Sequence, residues 1–245
     1  FTDMAKAVKR ILAGIEKEEK IVVYGDYDAD GVSSSAVVIE TLNALGAQTE
    51  VYIPYRETDL YGLNKEAANE LIEKGTKLVI TVDCISNKEE IKILQDSDVD
   101  VIVTDHHHEP PELPNAFAVI NPQLSLENYP FKNLTGCGVA FKLAQGLISK
   151  SAEYKVKQID EGFEKWLLDL VAIGTIADLQ PIISENRVLV KYGLIVLQKT
   201  RRLGLLKLIE KMNSNLIKID ERVVGWQISP RLNAAGRLGH ASTAY

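Results

Sequence analysis

Three short apolar runs each end at an aspartate. Ile21-Val22-Val23-Tyr24 leads through Gly25 to Asp26, residues 77–82 lead to Asp83, and residues 100–104 lead to Asp105. Runs of this length, rich in Ile and Val and bounded by turn residues, read as buried strands. Between and beside them lie segments with apolar residues at helical spacing, 32–45 and 65–74, and further short strands are expected at 50–53 and 116–120. Strands alternating with helices predict an α/β fold, a mainly parallel sheet with flanking helices and right-handed crossovers. In a parallel sheet every strand ends on the same edge. Asp26, Asp83 and Asp105 are therefore expected to converge there although they are far apart in sequence.

The first of these turns, Asp26-Tyr27-Asp28-Ala29-Asp30-Gly31, carries three carboxylates where open α/β sheets place their ligands. Like charges so close repel one another unless something neutralises them, and hard divalent cations favour carboxylate oxygens. Asp-x-Asp-x-Asp-Gly also opens a calcium-binding EF-hand loop, which needs a glutamate at its twelfth position. Counted from Asp26 that position is Val37, and the element in front is a strand, so the calcium loop is excluded. A fourth carboxylate, Asp178, follows the apolar run 166–177, read as one helix. The macrodipole disfavours a bare negative charge at a helix C-terminus, and a cation would relieve it. His106 and His107, beside these strand ends, are candidates for a metal ligand and for an acid or phosphate donor. His108 reads as loop filler, and His240 stays open. Cys84 and the histidines lack the closed four-ligand spacing of a structural zinc site.

Over 245 residues, hydrophobic content of 46% and charged content of 25% are ordinary for a soluble globular protein. No apolar stretch reaches membrane-spanning length. Two distant cysteines, Cys84 and Cys137, without a CxxC spacing, point to a reduced, cytoplasmic setting. The net charge of −6 argues against a general polyanion binder, not against a nucleic-acid enzyme whose acids serve a metal site. Gly136-Cys137-Gly138 lacks the preceding strand and third glycine of a dinucleotide fingerprint. A helix start there, capped by Thr135, could instead face phosphate. Arg201-Arg202 reads as a solvated helix start.

These residues carry a family resemblance. The chain resembles the DHH phosphoesterase superfamily, named for the Asp-His-His seen here as Asp105-His106-His107, and within it the RecJ-type exonucleases. The matching segments are Tyr24-Gly-Asp-Tyr-Asp-Ala-Asp-Gly31, Val82-Asp-Cys84, Thr104-Asp-His-His107, Gly136-Cys-Gly-Val-Ala-Phe-Lys142, Gly174-Thr-Ile-Ala-Asp178 and Ser229-Pro-Arg-Leu-Asn-Ala-Ala-Gly-Arg237. The resemblance implies a metal-dependent phosphodiesterase that degrades single-stranded DNA from the 5′ end to mononucleotides, in repair and recombination. It implies two divalent ions, Mn²⁺ or Mg²⁺: one on Asp28 and Asp83, the other on Asp30, Asp83, His106 and Asp178, with Asp83 bridging. His107 would face the substrate phosphate, Asp105 would orient a histidine, and Asp26 would support the site. A single-strand-binding protein and a RecQ-type helicase are the implied partners. A relative cleaving short oligoribonucleotides or cyclic dinucleotides, or a scaffold that has lost catalysis, are the alternatives. The scaffold reading sits poorly with a complete ligand set.

The expected organisation is a DHH catalytic domain over 1–184, then connecting helices from about 185 to 212 and the start of a truncated C-terminal region to 245. The family's C-terminal substrate domain and OB-type module would lie beyond Tyr245, and Phe1 and Tyr245 read as the ends of an excerpt. One departure from the family pattern is the missing glycine after Asp83-Cys84, where the chain continues with Ile85-Ser86. Arg231, Asn233 and Arg237 are the expected nucleic-acid contacts. With few aromatics and a negative net charge, the chain alone is expected to bind DNA weakly.

Overall fold

A computed structural model describes residues 1–55, 62–84, 88–212 and 218–245. Helix α1 (Met4–Glu16) precedes β1 (Lys20–Gly25), α2 (Ala29–Ala44), β2 (Gln48–Tyr52), α3 (Lys65–Glu73), β3 (Leu78–Val82), α4 (Lys88–Asp96), β4 (Asp100–Thr104) and β5 (Ala118–Ile120). Then follow α5 (Gly136–Lys150), α6 (Phe163–Trp166), α7 (Leu168–Ala177), α8 (Ser184–Leu197) and α9 (Leu203–Lys211). A last helical stretch comprises α10 (Glu221–Val223), a π-helical turn (Val224–Ile228) and α11 (Ser229–Leu238).

The strands form one parallel sheet in the order β2-β1-β3-β4-β5, as the α/β pattern predicts. Winding reverses at β1, which leaves a crevice between the C-terminal ends of β1 and β3, the usual ligand position of such sheets. Alternation along each strand divides the core. Ile21, Val23 and Ile80 pack on the side of α1, α2 and α5, whereas Val22, Tyr24 and Val79 pack on the side of α3 and α4. Burial on both faces explains why these strands read as continuous apolar runs.

Element limits differ where pairing or capping, not apolar content, decides them. β2 reaches back to Gln48, which pairs with Lys20, and β5 is shorter than its apolar run. α2 starts at Ala29 rather than at 32, because the Asp28 carboxylate caps it. The run 166–177 is two helices, with Leu167 between α6 and α7. α8 and α9 lie within the segment from about 185 to 212, and residues on both sides of 184 share a core: Ile173 and Ile176 of α7 with Val190, Leu194, Ile209, Val224 and Ile228.

Arg202 corrects the reading of Arg201-Arg202 as a solvated start. Its Nε lies 3.0 Å from Oδ2 of Asp169, a carboxylate only 2% exposed that also accepts from Thr200 Oγ1 at 2.9 Å. Glu40 pairs with the same guanidinium, and Arg201 lies over the Trp166 ring. No helix among the described residues is long and apolar enough to cross a membrane.

Candidate metal centre

Register brings the carboxylates together. Gly25 pairs with Val82, Val82 with Thr104 and Thr104 with Ile120, so Asp26, Asp83 and Asp105 step off the sheet side by side. The ladder continues one residue further, Asp83 N donating to Thr104 O and Asp105 N to Ile120 O, both at 3.0 Å. Asp83 has φ +56°, a left-handed conformation that Asp and Asn tolerate better than most residues. Ile85 and Ser86, where the family pattern has its glycine, lie outside the described residues.

The Asp28 carboxylate accepts from the amides of Asp30 and Gly31 at 2.9 and 3.0 Å. Asp30, in the first turn of α2, accepts from Gly136 N at 2.8 Å and Cys137 N at 3.1 Å. Thr135 caps α5 as expected, accepting from Gly138 N at 3.0 Å. The first amides of that helix serve a buried carboxylate, however, and not the phosphate for which they were candidates. Backbone approaches this closely only without side chains: a methyl group on Gly136 would overlap Asp83 Cβ and Oδ1, and one on Gly174 would overlap Asp30 Oδ1.

His106 Nε2 is 3.0 Å from Asp83 Oδ1, 3.8 Å from Asp178 Oδ2 and 3.9 Å from Asp30 Oδ2. Asp30, His106 and Asp178 present ligand atoms within 4.8 Å of one another, as do Asp26, Asp28 and Asp83, and Asp83, His106 and His107. The five residues expected as ligands thus converge, and Asp26, expected only as support, stands among them. Burial and then the charge of Asp83 hold the Asp30 carboxyl well above the usual carboxylate range. Asp83 is raised likewise by burial, then by Asp28 and Asp26. Buried carboxylates that oppose one another's ionisation, with one imidazole among them, are a donor set a hard or borderline divalent cation fits.

Asp105 and His107 form a dyad beside this cluster. His107 Nδ1 donates to Asp105 Oδ1 at 2.7 Å, and that bond raises the imidazole pKa against its burial. Burial raises Asp105, but the His107 bond and the amide of His106 at 2.8 Å outweigh it, and its pKa falls below the ordinary value. Asn121, not among the expected site residues, donates from Nδ2 to His107 O at 2.9 Å and so fixes the dyad's loop. Its signal was the Asn-Pro turn closing β5, opposite Asp105. His108 is exposed. His240 faces Tyr55 edge-on at 4.2 Å and caps the last turn.

The three expected nucleic-acid residues do not share one role. Asn233 is turned inward, its Oδ1 accepting from Ala29 N at 2.7 Å. Arg231 donates to Gln227 O at 2.8 Å and lines a cavity of about 770 Å³ with Glu40, Asp169 and Arg202. Arg237 is exposed.

Residues 20–175 match the model of the DHH family, N-terminal domain. The chain is 46% identical to the single-stranded-DNA-specific exonuclease RecJ of Bacillus subtilis (strain 168), over 98% of this chain and 29% of that protein. It is 37% identical to the exonuclease of the same name from Escherichia coli (strain K12), over 99% of this chain and 43% of that protein. It therefore spans less than half the length of these curated relatives. Among solved structures, exonuclease RecJ bound to manganese superposes with a TM-score of 0.87 at 36% identity, covering 98% of this chain and 59% of that one. RecJ in complex with Mn²⁺ from Thermus thermophilus superposes with a TM-score of 0.83 at 34% identity, covering 98% and 34%.

Proposed function

The chain belongs to the DHH family, and from that premise we propose that it is the catalytic part of a metal-dependent exonuclease. The substrate is single-stranded DNA, degraded from the 5′ end to mononucleotides in a cytosolic setting. The observation that carries this reading is the position of Asp83, whose carboxylate belongs to two of the ligand groups and lies 3.0 Å from His106 Nε2. Asp30, His106 and Asp178 would hold one divalent ion, Mn²⁺ or Mg²⁺, and Asp28 and Asp26 a second, with Asp83 placed to contribute to either group. When bound, such ions acidify an attacking water and offset the charge gathering on the phosphoryl oxygens. The relatives' names and the metal-bound RecJ structures support this choice of substrate and metal.

The chain's own residues supply the rest. α5 fixes Asp30 through two amides, and the cap at Asp28 fixes the turn, so the acids are oriented before substrate arrives. Asp105 keeps His107 protonated to higher pH than a free imidazole, and in that state its Nε2 is a charged donor for a substrate phosphate. Residues beyond 184 act as connecting helices packed onto this core, and Arg237 contacts the strand.

The test offers 5′-labelled single strands, duplexes and dinucleotides with Mn²⁺. Preference for single strands is expected, and preference for dinucleotides would overturn the assignment. Calorimetric titration with Mn²⁺ should find two ions on the wild type, one on Asp28→Ala and none on Asp83→Ala. Two ions retained by Asp83→Ala would remove its shared role.

A further inference from the structure

Trp226 is 81% exposed, although it sits in a buried neighbourhood. It lies within the π-helical turn Val224–Ile228, whose end residues are both in the core. The turn rests against α7: a methyl group on Gly225 would lie 3.5 Å from Ile176 Cγ2, and Ile176 is two residues from Asp178. π-turns are rare and concentrate at functional sites, because the extra residue re-aims side chains within an otherwise regular helix. From this point α11 runs to the other side of the crevice, where Asn233 meets Ala29 and Gly236 approaches Tyr27 O. The last helix therefore spans from the Asp178 end of the metal cluster to the Asp28 end.

One side of α11 carries Pro230, Asn233 and Arg237, at spacings of three and four, which keep them in one stripe, while the π-turn sets Trp226 off that stripe at the start of the helical stretch. Asn233 reveals where the stripe points, since its amide reaches the carboxylate-bearing turn. Arg231 lies off the stripe and lines the cavity bounded by α2, α7, α9 and α11 instead. Pro230 and Arg237 are exposed. An exposed indole and a guanidinium at opposite ends of one helical stretch suit a strand with alternating bases and phosphates.

Resting on the exonuclease reading above, we propose that Trp226 is a base-stacking platform that positions single-stranded DNA at the Asp178 end of the metal centre, while Arg237 takes a phosphate further along. Every base offers a π-face, so such a platform binds strands without sequence preference, and paired bases are denied to it. The indole touches the strand and not the reacting phosphate, so it governs binding rather than chemistry.

The test uses the full-length protein. Trp226→Ala and Trp226→Phe are compared with wild type by cleavage kinetics and by fluorescence anisotropy in an Asp178→Asn background. Oligonucleotides carry one abasic site, moved along the strand position by position. Trp226→Ala is expected to raise KM and Kd about tenfold with kcat retained, and Trp226→Phe to recover most of the loss. At one position the abasic site should weaken wild type but leave Trp226→Ala unchanged. An abasic penalty equal in both proteins at every position overturns the proposal. So does a lowered melting temperature without that coupling, which would mark Trp226 as covered by another part of the protein. If wild type cleaves no single strands, the exonuclease reading falls, and the anisotropy arm still decides whether Trp226 stacks on bases.

Discussion

Asn233 accepts the amide hydrogen of Ala29 at 2.7 Å, joining the last helix to the turn between Asp28 and Asp30. A side chain expected to read the substrate thus also braces the candidate metal turn. Asn233→Ala should cost about 1 kcal/mol, seen as a fall of roughly 2–4 °C in melting temperature for a chain of this size, and should weaken Mn²⁺ binding. Asn233→Asp keeps an acceptor and should lose less. Scanning calorimetry and metal titration decide it, and an unchanged Asn233→Ala would show the contact to be idle.

Gly136 lets α5 pass directly over Asp83. Gly136→Ala would push its methyl group into Asp83 Cβ and Oδ1, and Mn²⁺ affinity should fall at least about tenfold, the equivalent of 1.4 kcal/mol. Gly204→Ala, where a methyl group meets nothing within 4 Å, should bind Mn²⁺ like wild type. Equal affinity in both variants, with unchanged far-UV circular dichroism, would contradict the close approach.

Burial and the charges of Asp28 and Asp26 raise the Asp83 carboxyl in the folded chain. The folded state then holds this proton more tightly than the unfolded state. Its contribution to stability is present below the unfolded pKa and is lost as pH rises through the folded one. In chelator, Asp83→Asn should therefore melt above wild type at alkaline pH, and the gap should close on acidification. Mn²⁺ should raise the wild type and leave the variant unmoved. Thermal melts across pH with and without Mn²⁺ test this, and a wild type that melts higher in chelator at alkaline pH refutes it.

The bond to Asp105 raises His107. Asp105→Asn should lower the His107 titration midpoint, followed by ring-nitrogen NMR on the metal-free chain. It should also move the alkaline limb of the cleavage profile to lower pH, because the imidazole loses its proton earlier. A midpoint unchanged in Asp105→Asn would mean that burial and the metal cluster alone set it.

The sheet and the gathering of the candidate metal ligands were legible because each depends on local chemistry. Apolar runs of strand length, each stopped by an aspartate, dictate a parallel sheet whose edge gathers Asp26, Asp83 and Asp105. The Gly136 and Cys137 amides were misread because a helix start advertises an anion site without naming the anion, and only packing reveals Asp30 there. Arg202 looked solvated for a similar reason: its partner Asp169 lies inside an apolar run, where a lone carboxylate suggests nothing about a cation far along the chain. Asn233 and Arg231 were grouped by a shared segment, yet helical phase turns one toward Ala29 and the other toward a cavity. The break at Leu167 had no glycine or proline to announce it.

Asp30 is at once a candidate ligand and the cap of another helix, and this bears on the choice of an inactive control. Replacing it by alanine would strand the Gly136 and Cys137 amides in a buried setting, at about 1–3 kcal/mol each, so lost activity could not be separated from a loosened α5. Asp178 stands apart: its side chain is 28% exposed, and it accepts from Gln180 Nε2 at 3.1 Å. A silenced protein meant to trap substrate with its scaffold intact is better made there, at the carboxylate on which the architecture leans least.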